Sequence, residues 1–334
     1  MSSQPLDLLN IVEAAYQLDA PDDVWLKTIA EAVRPYLDEG FGLAAFEFIR
    51  EPSQPPKILH SLHLWMPEPL AEVYPKLFAN MDPSLRQRPF EMGPFITGSQ
   101  MMGMRNEFAE LPQMKQGLQR FGMFDSVWVT ATDPTGRGCG FHAGRRKIGW
   151  ATPRDSQRWG RLAAHLSSAV RLRARLKIGA APLEAPSAIF DPSGKLHDAT
   201  GDAQEASARA ALRQAVMTME KVRGPKREEE PDRALGEWRA LVSGHWSLVD
   251  QMEQDGRRYV VARKNEPLAL GPEALSDRER QVIGYALLGH HNKLIAYELG
   301  IAASTVRVLM ARAASKLGVR TRDELIQAAR QGGL

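Results

Sequence analysis

Three of the four glycines between Leu275 and Arg322 divide this stretch into segments, and their spacing constrains its fold more than any other feature of the sequence. Gly289, Gly300 and Gly318 separate segments whose apolar residues recur at intervals of three and four, and a glycine typically follows the end of a helix. The stretch therefore predicts a group of short amphipathic helices rather than a sheet.

Two capping pairs place the starts of the first and last of these helices. Ser276 precedes Glu279 by three residues, and Thr321 precedes Glu324 by three. In a capping box of this spacing the hydroxyl and the carboxylate each accept a hydrogen bond from an N–H at the helix start. The caps and the glycines together predict four helices, which run from Ser276 to Gly289, from about Asn292 to Leu299, from Ala303 to Lys316 and from Arg322 to about Arg330.

The second and third of these helices are joined by a tight turn that contains Gly300. Two helices connected in this way form a helix-turn-helix, whose second helix can lie in the major groove of DNA. An apolar stripe runs along the third helix from Val306 to Leu317. Four polar or basic residues lie off this stripe, and they support use of the helix as a DNA-binding face: Ser304, Thr305, Arg307 and Arg312.

The whole stretch resembles the DNA-binding domain of the LuxR family of bacterial transcription regulators. The residues that carry the resemblance are Leu275, Arg278, Glu279, Val282, Gly289, Asn292, Lys293, Ile295, Ala296, Leu299, Ile301, Thr305, Val306, Lys316, Leu317, Val319 and Arg322. The resemblance implies that Lys293, Thr305 and Arg307 contact phosphates or base edges and that Val306 lies near the groove. The full set of expected DNA-binding residues is Lys293, Ser304, Thr305, Val306, Arg307, Arg312 and Lys316.

Several positions depart from the family pattern. His291 and Leu294 stand where the family usually has Ser and Glu, Ala302 and Ala303 replace polar residues at the start of the third helix, and Leu309 replaces a usual His. A weaker cap on that helix is expected, and the base preference does not transfer. An alternative interpretation is a helical bundle that binds RNA polymerase or another protein without contacting DNA.

Composition and charge are those of an ordinary globular protein with two or three domains. The 334 residues carry a net charge of +3 and contain one cysteine, Cys139, so that no internal disulfide can form. No apolar run approaches the ~18 residues of a membrane helix, and the N-terminal MSSQPLDLL lacks the basic and apolar regions of a signal peptide. These features predict a cytoplasmic protein that does not contact the membrane.

Residues 1–179 predict an α+β sensor or dimerisation domain. Two helices occupy 6–38, strands follow at 42–49, 58–65, 126–131 and 138–144, and a long helix spans 153–177. Helices on both sides of antiparallel strands give an α/β/α domain, and the order of the elements is similar to that of GAF-type domains. The basic end of the long helix, at Arg171, Arg173, Arg175 and Lys177, predicts either a dimer or signalling helix, or a sheet-covering helix with a solvated end.

Residues 186–264 predict a small α+β module that is similar to PAS domains in the order of its elements. Short strands at 187–190 and 195–198 precede a helix at 202–222, and a hairpin occupies 245–252 and 257–263. The segment 224–231, GPKREEEP, is interpreted as a solvated loop, and 232–242 as a helix. The fold class is therefore multidomain α+β: a GAF-like domain (1–179), a PAS-like module (186–264) and an all-α four-helix LuxR-type domain (271–334).

No sequence motif indicates catalysis, a metal or a cofactor, and we expect no enzyme activity. The turn 191–195 is no phosphate loop, because Ile189 stands where that motif needs glycine. His60 and His63 lie three apart on a strand and therefore point to opposite faces. Cys139 is expected to be a buried structural thiol.

The expected partners are double-stranded DNA, a second copy of the chain in a homodimer, RNA polymerase and an unidentified small-molecule signal. Met101, Met102 and Met104, beside Phe90 and Phe95, line either an adaptable ligand pocket or the edge of an ordinary core, and we favour the core. Tyr74 followed by Asp82-Pro83 is similar to part of the acyl-homoserine-lactone pocket, but the spacing is short and the usual Trp is missing, so this ligand is disfavoured.

Overall fold

The computed structural model describes residues 7–51, 55–79, 81–104, 108, 110–111, 115, 118–177, 186–224, 226–242, 245–252, 257–269, 271 and 273–331. The chain divides into two compact units. The first-sheet unit contains residues 20–167 and 287–290. The second-sheet unit contains residues 1–19, 168–286 and 291–334.

The described residues form thirteen α-helices and ten strands. The helices are α1 (Leu8–Ala15), α2 (Asp22–Leu37), α3 (Glu68–Ala79), α4 (Pro83–Gln87), α5 (Gly98–Met101), α6 (Pro153–Lys177), α7 (Ala206–Val222), α8 (Lys226–Glu229), α9 (Pro231–Glu237), α10 (Asp277–Leu287), α11 (Asn292–Glu298), α12 (Ala303–Lys316) and α13 (Arg322–Gln331). The strands are β1 (Leu43–Ile49), β2 (Lys57–Leu64), β3 (Phe95–Thr97), β4 (Asp125–Thr132), β5 (Arg137–Arg145), β6 (Ala188–Phe190), β7 (Leu196–Ala199), β8 (Leu241–Val242), β9 (Trp246–Met252) and β10 (Arg258–Lys264).

The two sheets have the same strand order. The first is antiparallel in the order β2-β1-β5-β4-β3, and the second is antiparallel in the order β7-β6-β10-β9-β8. Counted along the chain within each sheet, both read second, first, fifth, fourth, third. The predicted strand pairs are confirmed in both units, while the GAF-like and PAS-like assignments remain predictions.

Aromatic side chains fill one face of the first sheet. Phe46 and Phe48 of β1 pack with Phe90, Ile96, Met101 and Trp128 in a buried cluster. A Cβ on Gly140 would come within 2.7 Å of the Phe46 ring, and one on Gly138 within 2.5 Å of the Phe48 ring. The glycines of β5 thus let the two rings lie directly over the strand. Met101 and Phe90 belong to this core, as we favoured.

Tyr74 contacts a histidine rather than Asp82. Its hydroxyl is hydrogen-bonded to Nδ1 of the buried His142, whose ring centroid lies 4.2 Å from that of Trp128. Asp82 is exposed and caps α4 by accepting a 2.8 Å hydrogen bond from the Ser84 N–H. The two halves of the suggested lactone motif therefore have separate structural roles. The sequence also favours short helical pieces near 105–108 and 113–121, and much of these two ranges lies outside the described residues.

The charged segment 224–231 is not a solvated loop, so this interpretation was wrong. Residues Lys226–Glu229 form α8, and the guanidinium of Arg227 binds the carboxylates of both Asp7 and Glu13. This ion-pair cluster connects α8 with α1 inside the second-sheet unit, where α1 also packs against α9. The helix predicted over 232–242 ends at Glu237, and Leu241–Val242 form strand β8 instead.

At the basic end of α6, two of the four basic residues are buried, whereas Arg175 is exposed. Arg171 and Arg173 are 7% and 4% exposed. Arg171 donates to Oδ1 of Asn265 (3.1 Å) and to the hydroxyl of Tyr285 (3.1 Å), and Arg173 donates to the carbonyl of Leu18 at 2.7 Å. A buried guanidinium requires several acceptors to offset its lost hydration. These cations therefore serve the interior of the second-sheet unit, a role that their periodicity alone did not reveal.

Across the residues that the structure describes, no single helix is long and apolar enough to cross a membrane. The same residues contain no group of three or more His, Cys, Asp or Glu side chains placed to hold a metal ion. Cys139 is buried, and burial raises the pKa of its thiol.

Candidate DNA-binding site

The first capping box forms as predicted and positions the C-terminal helices. Glu279 accepts a 2.7 Å hydrogen bond from the Ser276 N–H, and the Glu279 N–H donates to the Ser276 hydroxyl at 3.4 Å. The same carboxylate binds the ammonium of Lys316 at 2.7 Å. Although burial opposes ionisation of Glu279, Lys316 and the Ser276 donors hold the pKa of its carboxyl below the usual value. One acidic side chain thus joins the start of α10 to the end of α12.

The α11–α12 pair has the geometry of a helix-turn-helix. The two helices are bent by 108° across the break between them, within the range of about 90–120° that is typical of this motif. Gly300 adopts a φ of +59°, and the following Ile301 N–H donates to the Ala296 carbonyl at 2.9 Å. Val306 and Leu299 are fully buried beneath the turn. The turn therefore fixes the direction of α12 relative to α11.

The opposite side of α12 is exposed. Ser304, Thr305, Arg307 and Arg312 all have exposed side chains. Lys293, at the start of α11, is exposed as well. These five side chains are therefore accessible to solvent, and their contact with DNA stays a prediction.

Two of the expected contact residues have other roles. Val306 is 0% exposed, so its expected place near the groove is wrong: the side chain lies in the core of the motif. The ammonium of Lys316 binds the buried Glu279 carboxylate. Its side chain is 43% exposed, but its charge is partly compensated within the domain.

Val308 was missed by the sequence analysis. It is 49% exposed, and it lies one turn after Ser304 and one turn before Arg312, on the same face of α12. An exposed valine amid polar and basic residues can make an apolar contact with a thymine methyl group. The spacing of four residues between Ser304 and Val308 indicates that both lie on one face of the helix. Because valines stand on both sides of Arg307, the sequence analysis chose Val306 instead of Val308 as the valine near the groove.

The departures from the family pattern at the helix starts have structural consequences. His291 is the N-cap of α11, where its Nδ1 accepts a 3.1 Å hydrogen bond from the Leu294 N–H. Burial, together with the charges of Lys293 and Arg322, lowers the pKa of His291 and favours the neutral acceptor form. At α12 the N-cap is Ala302, which makes no side-chain capping bond. The first-turn N–H groups of α12 thus have no side-chain acceptor at the cap, as the sequence predicted.

The helix-turn-helix also bonds to the rest of the second-sheet unit. The Tyr297 hydroxyl donates to the Leu235 carbonyl at 3.0 Å, and the Gln281 amide donates to the Pro267 carbonyl at 2.8 Å. Arg278 contacts Nε2 of His245 at 2.6 Å. All three contacts come from α10 and α11, so they leave the exposed face of α12 unobstructed within this unit.

Comparison with known proteins gives a match at the same place. Residues 273–329 match the family described as "Bacterial regulatory proteins, luxR family". Over 90 residues the chain is 39% identical to the transcriptional regulatory protein FixJ of Rhizobium meliloti. This alignment covers 26% of the chain and 44% of the FixJ protein. Over 88 residues it is 33% identical to FixJ of Bradyrhizobium diazoefficiens, covering 26% and 42%. The alignments thus span less than half the length of these curated relatives.

Proposed function

We propose that this chain, whose C-terminal segment is a LuxR-family helix-turn-helix domain, is a DNA-binding transcription regulator with no enzymatic activity. The observation that carries the proposal is the exposed polar and basic face of α12, presented by a helix pair with the bend of a helix-turn-helix. The similarity of this segment to FixJ proteins supports the same conclusion.

In this proposal α12 enters the major groove. Arg307 and Arg312 offer bidentate donors to guanine edges or phosphates, and Ser304 and Thr305 hydrogen-bond near the helix start. Val308 contacts a thymine methyl group. The helix start itself attracts a phosphate oxygen through its N–H groups, and the uncapped first turn at Ala302 leaves these groups available.

Lys293 holds the DNA backbone from the start of α11. Such contacts to phosphate fix the position of the protein on the duplex without reading the sequence. Lys316 contributes less to this binding than its charge suggests, because its ammonium already binds Glu279. The proposed site is therefore formed by Lys293, Ser304, Thr305, Arg307, Val308 and Arg312, with Lys316 at its margin.

The active form is proposed to be a homodimer that responds to a signal. Two recognition helices about 34 Å apart would match a palindromic operator. The upstream modules, which we interpret as GAF-like and PAS-like, would sense a small molecule and thereby control DNA binding or contact with RNA polymerase. The basis of this part is the two-unit organisation of the chain and the hydrogen bonds from α10 and α11 to the second-sheet unit.

The test begins with selection of bound sequences from randomised duplexes by the intact protein. Affinity for the selected duplex is then measured across a range of salt concentrations for wild type, Arg307→Ala, Val308→Ala and Arg330→Ala. We expect Arg307→Ala to lose about 1–3 kcal/mol of specific binding if it reads a base, or to reduce the salt slope by about 1 if it contacts a phosphate. Arg330 is exposed on α13 and is the charge-matched control.

Val308→Ala should weaken binding to selected sites that contain thymine at the contacted position and leave non-specific binding unchanged. The proposal fails if wild type retains no duplex at low salt, or if all variants bind every duplex with equal affinity and salt slope. An absence of DNA retention together with binding to RNA polymerase would instead support the protein-interaction alternative.

A further inference from the structure

A concave site lies between the β6–β7 turn and α7, inside the second-sheet unit. Its volume is about 480 Å³, within the range of about 300–1,000 Å³ that is typical of small-molecule sites. We name it the cationic cleft, and its lining residues are Phe190, Ser193, Gly194, Lys195, Leu196, Ala206, Arg209, Ala210 and Arg213. The DNA-binding site uses none of these residues.

Three positive charges converge on the cleft from two elements. Lys195 belongs to the turn before β7, and Arg209 and Arg213 lie four residues apart and hence on one face of α7. All three side chains are exposed, and within the part of the chain that the structure describes none of them forms an ion pair. The cleft thus concentrates positive charge that no acidic partner compensates.

The carboxylate that follows Phe190 is used by the turn itself. Asp191 accepts hydrogen bonds from the Ser193 N–H (2.9 Å), the Ser193 hydroxyl (2.6 Å) and the Lys195 N–H (3.1 Å). The Ser193 hydroxyl bond, with the backbone donors and His197, lowers the pKa of Asp191 to about 2 even though desolvation opposes ionisation. These bonds fix the turn as a wall of the cleft rather than leaving Asp191 to pair with Arg209 or Arg213.

The turn is also packed tightly against α7. Gly194 has a φ of +80°, and a Cβ added there would meet the side chains of Met217 at 3.0 Å and Arg213 at 3.4 Å. The aliphatic part of Arg213 therefore lies along the turn. Part of the lining is apolar, because Leu196 and the exposed methyl groups of Ala206 and Ala210 border the cleft, whereas Phe190 is 1% exposed and offers little surface.

We infer that the cationic cleft binds a small organic anion, a phosphate or carboxylate joined to an apolar group. Lys195, Arg209 and Arg213 supply the anion contacts, since guanidinium groups bind both oxyanions through paired hydrogen bonds. The apolar walls accommodate the rest of the molecule. The apolar part of the lining favours such a ligand over a DNA backbone, which offers only phosphate and sugar groups.

The probes are phenyl phosphate, benzoate and phenol, added separately to the full-length protein and followed by isothermal titration calorimetry. Phenyl phosphate and benzoate distinguish the two anion types, and phenol lacks the charge. We expect saturable binding of at least one of the two anions, with a one-to-one stoichiometry per chain and no binding of phenol. Inorganic phosphate should bind at least about tenfold more weakly than phenyl phosphate if the apolar walls contribute.

Two kinds of variant place the ligand in the cleft. Arg209→Gln with Arg213→Gln should weaken anion binding about tenfold or more, because each removes a charge-assisted hydrogen bond. Ala210→Leu fills the cleft without changing its charge and should also abolish binding. Arg330→Gln, on α13, is the matched control and should bind as wild type does. Circular dichroism and the unfolding midpoint confirm that each variant is folded.

Equal affinity of wild type, the double arginine variant and Ala210→Leu for the anions overturns the inference, as does the absence of saturable binding to either anion. Displacement of bound phenyl phosphate by a non-specific DNA duplex, together with weaker binding of that duplex by the double arginine variant than by wild type, would assign the cleft to nucleic acid and would also overturn it. These measurements do not use α12, so their outcome is separate from that of the DNA-binding test.

Discussion

The ammonium of Lys316 lies 2.7 Å from the carboxylate of Glu279, and Glu279 is 3% exposed although the lysine is 43% exposed. This ion pair connects the first turn of α10 with the last turn of α12 in the helix-turn-helix domain. It sits on the side of α12 away from Arg307 and supports the orientation of that helix. Removal of the ion pair should therefore lower the stability of the helix-turn-helix domain more than it lowers the proposed affinity for DNA.

Replacement of Glu279 by Gln should destabilise the helix-turn-helix domain by about 1–2 kcal/mol at pH 7 through weakened capping and a lost charge-assisted bond. The folded-state pKa of Glu279 lies below its value of 4.5 in the unfolded chain. Its contribution is therefore present above pH 4.5 and is lost as pH falls through the folded-state pKa. Urea unfolding at pH 7 and at pH 3 should show the difference from wild type shrinking at the lower pH.

The exposed Glu273 provides the control for that experiment, since Glu273→Gln should leave the unfolding free energy unchanged at both pH values. A difference between wild type and Glu279→Gln that is as large at pH 3 as at pH 7 would show that the carboxylate charge does not stabilise the domain.

Acidification should destabilise the first-sheet unit through its buried histidines. Burial lowers the pKa of His142 and of His165 from 6.5 to about 3, and the charge of His63 lowers that of His142 further. The unfolded chain then binds more protons than the folded chain between pH 6.5 and 3, so stability declines as pH falls through this window. Hydrogen exchange of β4 and β5 amides should report less protection at pH 5 than at pH 7, after correction for intrinsic exchange rates.

A His142→Gln variant should show a smaller loss of protection between pH 7 and pH 5 than wild type does. His197→Gln is the control, because His197 is exposed and belongs to the second-sheet unit. If His142→Gln and wild type lose the same protection, His142 is not a source of the acid sensitivity.

Removal of the Arg227 side chain should loosen α1. Its side chain is 17% exposed, and its guanidinium binds both Asp7 and Glu13, so that Arg227→Gln would leave two half-buried carboxylates without this partner. We expect a loss of about 1–3 kcal/mol in the unfolding free energy, because hydrogen bonds to charged groups contribute more than neutral ones. Arg233→Gln should cost much less, since Arg233 is 66% exposed in its own ion pairs.

Limited proteolysis near the N-terminus measures the same change locally. Arg227→Gln should accelerate cleavage within the first 19 residues relative to wild type and to Arg233→Gln. Identical cleavage rates in all three proteins would mean that the ion pairs do not hold α1.

A methyl group on Gly140 should disrupt the aromatic face of the first sheet. The added Cβ would lie 2.7 Å from the Phe46 ring and 2.8 Å from the Val129 carbonyl, so the ring or the strand must shift. Overpacking of this kind costs about 1–3 kcal/mol. Gly149→Ala is the matched control, since its nearest neighbour would be 3.6 Å away, and thermal unfolding should separate the two variants by several degrees.

Local sequence signals predicted the elements better than the roles of long basic side chains. The capping pairs and glycines gave the four C-terminal helices because each acts over a single turn. Arg227 was assigned to solvent, and Arg171 and Arg173 either to a dimer or signalling surface or to solvent. In the structure they bind Asp7, Asn265 and Leu18, partners that are far away along the chain. Such contacts depend on how remote elements pack, which periodicity does not encode.

The recognition helix shows the same limit at a finer scale. Its apolar stripe includes Val306, and a side chain on that buried stripe cannot also lie near the groove. Val308 is predicted to face outwards only if the apolar stripe is narrow enough to contain Val306 but not Val308. The cationic cleft could not be predicted from the sequence for a related reason. Lys195 and Arg213 line one site only because the β6–β7 turn packs against α7.

The hydrogen bond between Arg173 and the Leu18 carbonyl bears on how the two units are arranged along the sequence. The chain leaves the second-sheet unit after residue 19 and re-enters it at residue 168, and the 2.7 Å hydrogen bond marks these two crossing points as neighbours. Residues 20–167, a stretch of nearly 150 residues, are thus inserted into the sequence of the second-sheet unit between two positions that lie close together in space, as in domain insertion. Excision of 20–167 with a short glycine-rich bridge should then yield a miniature protein that still folds, whereas a cut that discards residues 1–19 removes part of the host itself.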